Sequence, residues 1–129
     1  MVIWKDGKVL LVRRGKPPRD GQWSIPGGAQ ELGETLLETA RREVSEETGL
    51  DVAVTGLIDV VDFIERDTAG GVRYHYSLID FSAEWRSGEP RAGGDVSDVV
   101  WLDPNELARY EIWSETRRII LKSAGMRRE

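Results

Sequence analysis

The 129-residue chain contains no cysteine and only one histidine, His75. Without cysteine, disulfide frameworks, thiolate zinc sites and cysteine nucleophiles are all excluded. Mechanisms that require a pair of histidines are excluded as well, because the chain has only one. The chemistry of this protein must therefore be sought in other residue types.

The chain also lacks an apolar run long enough to cross a membrane, and its start lacks the basic-then-apolar pattern of a secretory signal. A cytoplasmic location is therefore the default expectation. Basic residues are outnumbered, with 18 Lys and Arg against 23 Asp and Glu, for a net charge of −5. This balance argues against nucleic-acid binding. It is neutral toward a small phosphorylated substrate, because a metal ion can reverse the charge of one pocket.

A hydrophobic share of 40% and a charged share of 32% are ordinary for a globular protein. The length suits one domain with a single core, so we expect one domain over residues 1–129. The patterns predict strands at residues 2–4, 8–13, 22–25, 52–64, 72–81 and 98–102. They predict helices at 35–48, from the Asp103-Pro104 cap, and at 114–124, where Ser114 would be the cap. This order favours an α/β fold, a mixed sheet between helices.

Three glutamates crowd one border of the predicted helix 35–48. At about 100° per residue, Glu43 and Glu47 lie at the edge of an apolar stripe, with Glu46 just beyond. The stripe consists of Leu36, Leu37, Ala40 and Val44. Like charges four residues apart destabilise a helix by about 0.2–0.5 kcal/mol, and burial raises this cost unless a cation compensates. No Lys or Arg stands between Glu43 and Glu47, so we expect no cation of the protein at this edge of the helix. A cluster of oxygen ligands alone indicates Mg²⁺, with Mn²⁺ second.

Residues 28–50, GAQELGETLLETARREVSEETGL, resemble the Nudix box of the Nudix hydrolase family. The family pattern is glycine, five residues, glutamate, seven residues, then arginine-glutamate-apolar-any-glutamate-glutamate-any-glycine-apolar. The matching residues are Gly28, Glu34, Arg42, Glu43, Val44, Glu46, Glu47, Gly49 and Leu50. Most charge runs lie on a solvated face, but the edge placement and the complete box favour a catalytic role. The order of elements also fits the α/β/α sandwich of the family.

The resemblance implies roles for individual residues of the box and its flanks. The implied metal ligands are the carboxylates of Glu43, Glu46 and Glu47 and the backbone carbonyl of Gly27. Glu34 and Arg42 resemble a supporting pair that locks the loop onto the helix, and Glu34 would also orient a metal-bound water. A further carboxylate usually completes the site on the loop before a tryptophan-bearing strand. Asp95, six residues before Trp101, is the best match, and Asp98 competes for this role.

Candidates for substrate binding flank the box on its N-terminal side. Arg13 and Arg14 could meet a phosphate, although arginines near a hairpin are common on protein surfaces. Trp23 could stack on a base, although an aromatic residue beside a Pro-Gly turn more often packs against the core. Gly28, with its neighbour Gly27, would let the backbone approach closely. We interpret His75 as structural.

The resemblance implies hydrolysis of the pyrophosphate linkage of nucleoside diphosphate derivatives, with ADP-ribose favoured because the stretch 13–28 looks like bacterial ADP-ribose pyrophosphatases. The proline that this subgroup often carries some sixteen residues beyond the box is missing, so a nucleoside triphosphate pyrophosphohydrolase is the alternative. A non-catalytic nucleotide-sensing module is less favoured, because such modules tend to lose box carboxylates. We expect a small nucleotide substrate and neither a nucleic-acid nor a membrane partner. A homodimer stays open, since no stripe of the sequence establishes an interface.

Overall fold

The order of strands and helices agrees with the sequence-based prediction. The computed structural model describes residues 1–16 and 20–127. In the described part the strands are β1 (Val2–Lys5), β2 (Lys8–Arg14), β3 (Trp23–Ser24), β4 (Asp51–Arg66), β5 (Val72–Ser87) and β6 (Val96–Leu102). The helices are α1 (Leu36–Thr48), a 3₁₀ helix (Pro104–Arg109) and α2 (Ser114–Arg127).

The strands form one mixed sheet in the order β3-β2-β1-β5-β4, with β6 also paired to β2. Strand β1 runs parallel to β5, whereas the other strand pairs are antiparallel. The tight turn between β1 and β2 places both Asp6 and Gly7 at positive φ, as a two-residue hairpin loop requires. The α/β fold class and the mixed sheet are therefore confirmed.

Side chains of strand β1 alternate between the two faces of the sheet, and both faces are buried. Val2 and Trp4 belong to a core cluster that includes residues of α2, whereas Met1 and Ile3 belong to a second cluster that includes Val44 of α1. The two helices thus cover opposite faces of the sheet. This three-layer arrangement fixes α1, which carries the candidate glutamates, against one face.

The helix α1 begins and ends with side-chain and backbone caps. Thr35 Oγ1 accepts a hydrogen bond from the Glu38 amide, and the Glu38 carboxylate accepts one from the Thr35 amide. This reciprocal capping box satisfies two amides that the first helical turn leaves without partners. At the other end Gly49 adopts the left-handed conformation, with φ of 74°, and its amide donates to Ser45.

The predicted apolar stripe of α1 is wrong in its first turn. Leu36 and Leu37 are exposed, whereas the buried residues of the helix are Thr39, Val44 and Thr48. The core cluster on this face meets the helix at Ala40 and Val44 rather than at its first turn. Helical periodicity identified one side of the helix but could not show how far the core extends along it.

Several other boundaries differ from the sequence-based prediction. The element after Asp103 is a 3₁₀ helix, and Asp103 caps it by accepting from the Asn105 amide. Ser114 lies inside α2 rather than capping it, since the Arg117 amide donates to the Trp113 carbonyl, and the helix continues to Arg127. None of the helices in the described residues is long and apolar enough to span a membrane.

Candidate active site

The loop of residues 26–28 lies directly against two glutamates of α1. The Gly27 amide donates a hydrogen bond of 2.9 Å to Glu47 Oε1. A Cβ atom on Gly28 would overlap the carboxylate of Glu43 in its present position, so a larger residue would displace that side chain. The sequence-based prediction named both glycines, and the structure brings them together with Glu43 and Glu47.

Glu47 is a half-buried carboxylate whose one hydrogen bond within the described residues is that from the Gly27 amide. Burial, together with a smaller contribution from the negative charge of Glu43, raises the pKa of Glu47 to about 7, while the Gly27 amide opposes the shift. Desolvation disfavours the charged form of a carboxyl group. Ionised Glu47 would therefore be stabilised by a nearby cation.

Arg42 lies where the sequence suggested that no cation would be found. Its Nη1 atom is 2.8 Å from Glu43 Oε1 and 3.3 Å from Glu46 Oε2. Its Nε and Nη2 atoms donate to the two carboxylate oxygens of Glu34, at 2.7 and 3.0 Å. Nη2 also donates to the Ala29 carbonyl, at 3.0 Å. The expectation of an uncompensated acidic edge is wrong, because one guanidinium joins three carboxylates.

Glu34 is held by more hydrogen bonds than any other carboxylate of the described site. Beside Arg42, its Oε1 atom accepts from the Glu31 amide at 2.9 Å and from Thr39 Oγ1 at 3.0 Å. The hydrogen bonds from Arg42 lower the pKa of Glu34 to about 2, with the Glu31 amide contributing next. This geometry suits the expected supporting role. It leaves Glu34 a poor proton acceptor at neutral pH.

The glutamates do not form a ready-made cluster of ligands. Within residues 1–16 and 20–127, no group of three or more His, Asp or Glu side chains is close enough to hold a metal ion. The carboxylates of Glu43 and Glu46 point toward Arg42, whereas that of Glu47 binds Gly27. The expectation that the three carboxylates form one close cluster is therefore wrong. Glu43 and Glu46 bind Arg42, and Glu47 binds the glycine loop.

A second glycine loop, the one that carries Asp95, covers the C-terminal end of α1, and the sequence did not predict this contact. The Gly93 amide donates to the Glu47 carbonyl at 3.1 Å, and the Arg91 amide donates to the Thr48 carbonyl at 2.9 Å. A Cβ atom on Gly93 would overlap the carbonyl oxygen of Glu46. The pair Gly93-Gly94 was the available signal in the sequence. This loop supplies backbone partners that the last carbonyls of a helix otherwise lack.

The two aspartates that competed for the final carboxylate role occupy different places. Asp95 follows the Gly93 loop, and its carboxylate forms an exposed ion pair of 2.9 Å with Lys16. Asp98 lies within β6, opposite Arg13, and accepts a hydrogen bond from the Val99 amide. The loop that leads to Asp95 is bound to the end of α1, which favours Asp95. Neither aspartate forms a metal-binding group of three or more acidic side chains with the box glutamates in the described residues.

The two arginines of β2 have different surroundings. Arg13 is exposed, and its Nε atom donates to the Gly21 carbonyl at 3.3 Å. Arg14 is half-buried, and its Nε atom has no hydrogen-bond partner among the described residues. Burial raises the pKa of Glu47 and Lys16 lowers the pKa of Asp95, and the charge of Arg14 makes a smaller lowering contribution to both. Arg14 is thus an available cation close to the candidate site.

Trp23 and His75 have structural partners. The Trp23 ring packs edge-on against Tyr110 with centroids 5.2 Å apart, next to the core cluster on the α2 face. This contact favours packing, and a substrate-binding role for Trp23 stays a prediction. His75 lies on β5 and its Nε2 atom is 3.3 Å from Asp62 Oδ1 on the neighbouring strand. That position supports the structural interpretation of His75.

Comparison with known proteins gives consistent matches. The family model of the NUDIX domain matches residues 1–122. An ADP-ribose pyrophosphatase of Methanocaldococcus jannaschii is 38% identical over 108 residues, which are 84% of this chain and 62% of that protein. The nucleoside triphosphatase NudI of Escherichia coli K12 is 30% identical over 128 residues, covering 92% of this chain and 89% of that protein.

The solved structures agree with these sequence matches. The crystal structure of a MutT NUDIX hydrolase from Burkholderia pseudomallei superimposes with a TM-score of 0.77 at 29% identity. The superposition covers 94% of this chain and 92% of that chain. The chain spans only 62% of the archaeal relative and 63% of a MutT-like protein of Streptomyces ambofaciens.

We predict that Arg42→Ala destabilises the protein, because it leaves Glu34, Glu43 and Glu46 without their shared cation. The melting temperature should fall by several degrees in thermal unfolding followed by circular dichroism. Arg41→Ala is the matched control, since Arg41 is exposed and makes no hydrogen bond or ion pair with another described residue. The control should stay within about a degree of the parent protein. Equal melting temperatures for both variants would show that Arg42 does not support the site.

Proposed function

The chain belongs to the NUDIX domain family, and from that membership we propose that it hydrolyses the pyrophosphate linkage of nucleoside diphosphate derivatives with a divalent cation. The observation that carries this proposal is the direct contact of the Gly27-Gly28 loop with Glu43 and Glu47 of α1. The loop and the helix together present carboxylates and backbone groups at one point of the surface. A chain that used α1 only for packing would not need this approach.

The donor set fits a hard divalent cation by its chemistry. We propose that Glu43, Glu46, Glu47 and the Gly27 carbonyl hold Mg²⁺, with Mn²⁺ as a substitute, since all these donors are oxygens. Half-buried Glu47, whose pKa burial raises to about 7, is the carboxylate that would gain most from a cation. Such an ion would neutralise the charge of the pyrophosphate and acidify a bound water.

The other residues of the box position this donor set. Arg42 holds Glu43 and Glu46 on one side and Glu34 on the other, so it fixes the spacing of the helix carboxylates. Glu34 stays ionised because Arg42 keeps its pKa at about 2, and it anchors the arginine instead of moving a proton. We assign Asp95 to complete the site, since its loop is bound to the end of α1 through Gly93.

We assign Arg14 to bind a phosphate group of the substrate. Its guanidinium acts electrostatically on Glu47 and Asp95, and its buried Nε atom lacks a hydrogen-bond partner in the described part of the chain. A phosphate group would pair with the positive charge of this half-buried guanidinium. Arg13 is a weaker candidate because its Nε atom already donates to Gly21.

Two substrate classes are supported by different relatives. ADP-ribose is the preferred substrate, because the archaeal relative named ADP-ribose pyrophosphatase is 38% identical to this chain. A nucleoside triphosphate is the second candidate, because NudI matches over 89% of its own length, whereas the archaeal relative matches over 62%. Both classes contain the same phosphoanhydride linkage, so the carboxylate site described above serves either one.

We predict that the protein with Mg²⁺ converts ADP-ribose to AMP and ribose 5-phosphate. The test is a panel of ADP-ribose, other nucleoside diphosphate sugars, dinucleoside polyphosphates and all nucleoside triphosphates, with products identified by chromatography. Release of a nucleoside monophosphate and pyrophosphate from a triphosphate would instead establish the second candidate. Absence of any product across the panel, with Mg²⁺ or Mn²⁺, would refute the proposed hydrolase.

We predict that Glu47→Gln lowers Mg²⁺-dependent turnover at least about a hundredfold, because it removes a proposed ligand.

Without metal the Glu47→Gln variant should be more stable than the parent protein above pH 7. The folded pKa of about 7 lies above the ordinary value of 4.5, so ionisation of Glu47 lowers the stability of the folded state as pH rises between these values. The gain on replacement should be on the order of 1 kcal/mol in urea unfolding at pH 8 and absent below pH 4. Unchanged turnover of the Glu47→Gln variant would show that Glu47 is not a metal ligand.

We predict that Arg14→Ala raises KM at least about tenfold, since one charge-assisted hydrogen bond to phosphate is lost. Arg13→Ala is the matched control on the adjacent residue, and its KM should stay within about twofold of the parent value. Steady-state kinetics on the substrate identified by the panel provide the measurement. An equal rise of KM in both variants would indicate a general loss of positive charge instead of a specific phosphate contact.

A further inference from the structure

The loop of residues 88–95 connects β5 to β6 and carries Asp95. Two amides of this loop, those of Arg91 and Gly93, donate to the last carbonyls of α1. At the end of the loop the Asp95 carbonyl accepts a hydrogen bond of 2.8 Å from the amide of Gly15, the residue that follows β2. The backbone of the loop is thus bound both to the helix that carries the box glutamates and to the end of β2.

The start of this loop is held by a side chain of β5. The indole N–H of Trp85 donates a hydrogen bond of 2.9 Å to the Gly88 carbonyl. Gly88 has a φ of 102°, and a Cβ atom there would lie 3.1 Å from the Gly49 carbonyl oxygen. A side chain at this position would be strained by its backbone conformation and by this contact. The chain therefore leaves β5 in a fixed direction, which the indole donor maintains.

The Trp85 ring is itself fixed on the sheet. It is half-buried and packs against the core cluster that joins the sheet to α1. On its other side the Nζ atom of Lys5, from β1, lies 4.0 Å from the ring centroid. An ammonium over the face of an indole is a favourable cation–π contact. The donor that holds Gly88 thus belongs to the packed sheet and not to the loop.

Asp95 depends on this loop for its position. The partner of its carboxylate within the described residues is Lys16, in an ion pair whose two side chains are exposed to 58% and 67%. Exposed ion pairs contribute little to stability, so this contact fixes the carboxylate only weakly. Arg14 acts electrostatically on both Asp95 and Glu47, so the two carboxylates share one neighbourhood. The backbone contacts of the loop therefore determine how Asp95 stands relative to α1.

We propose that Trp85 is a positioning residue, whose indole N–H anchors the loop of residues 88–95 so that the loop holds Asp95 beside the C-terminal end of α1. Gly93 has the complementary role on the other side of the loop, because a Cβ atom there would overlap the backbone carbonyl oxygen of Glu46. Backbone cannot rotate away as a side chain can, so the loop itself would move. The role of Asp95 rests on the proposed function, whereas the anchoring of the loop is measurable without substrate or metal.

Amide hydrogen exchange of the metal-free protein, followed by NMR, tests the anchoring. Trp85→Phe should raise the exchange rates of the Arg91 and Gly93 amides at least about fivefold, the equivalent of one lost hydrogen bond. Trp101→Phe is the matched control. Trp101 packs against the same core cluster and lies 5.9 Å from Lys5 Nζ, but its indole N–H makes no hydrogen bond with a described residue. The control should change these rates less than about twofold. Equal rates in the two variants would overturn the anchoring role of Trp85.

A double-mutant cycle tests whether the anchored loop acts through Asp95. With the substrate identified by the panel, Trp85→Phe should lower kcat at least about fivefold and change KM less than about twofold. In an Asp95→Asn background the same substitution should have no further effect, because residues that act through one group are not additive. Gly93→Ala is a second variant that should show the same dependence on Asp95.

A general loss of stability would lower kcat by the same factor in both backgrounds, and that result would contradict positioning through Asp95. An unchanged kcat of Trp85→Phe would contradict it as well. A parent protein without activity across the panel would refute the proposed hydrolase, and hydrogen exchange would still decide whether Trp85 anchors the loop. Failure of the proposed function and failure of the anchoring are therefore distinguishable.

Discussion

The guanidinium of Arg42 organises the acidic side of α1. It forms ion pairs with Glu34, Glu43 and Glu46 and donates to the Ala29 carbonyl, so it connects the helix to the loop before it. Three carboxylates this close to one another would repel strongly without a shared cation. The planar guanidinium suits this task because its five N–H donors form a rigid fork, which the single ammonium of lysine cannot reproduce.

Glu47 lies outside this arginine network and has a different environment. It faces the Gly27 amide, is half-buried, and has its pKa raised to about 7 by desolvation. The helix therefore carries two kinds of carboxylate, those neutralised by Arg42 and one whose charge is only weakly compensated. The glycine loop at residues 27–28 donates a backbone amide to this carboxylate, and the loop at residues 93–94 binds the backbone carbonyl of the same glutamate. This asymmetry is the physical basis of the proposed cation site.

Local sequence signals predicted the elements that carry the site. The helix predicted at 35–48 and the strands predicted at 2–4 and 8–13 are present with nearly these bounds. Short-range interactions fix their ends, namely the Thr35 cap, Gly49 and the turn at Asp6-Gly7. The prediction failed where burial depends on distant residues. Leu36 and Leu37 are exposed because the core on that face does not reach the first turn of α1, a property of the whole sheet rather than of the helix.

The sequence alone determined the family resemblance, the α/β class and the residues of the box, because these follow from residue types at fixed spacing along one helix and its flanks. Only the tertiary structure decided which groups neutralise one another. It placed Arg42 among the glutamates, separated Arg14 from Arg13 by their surroundings, and left the outer edge of β4 open. Side-chain direction, burial and strand neighbours depend on contacts between segments far apart in the chain, which spacing within one segment does not encode.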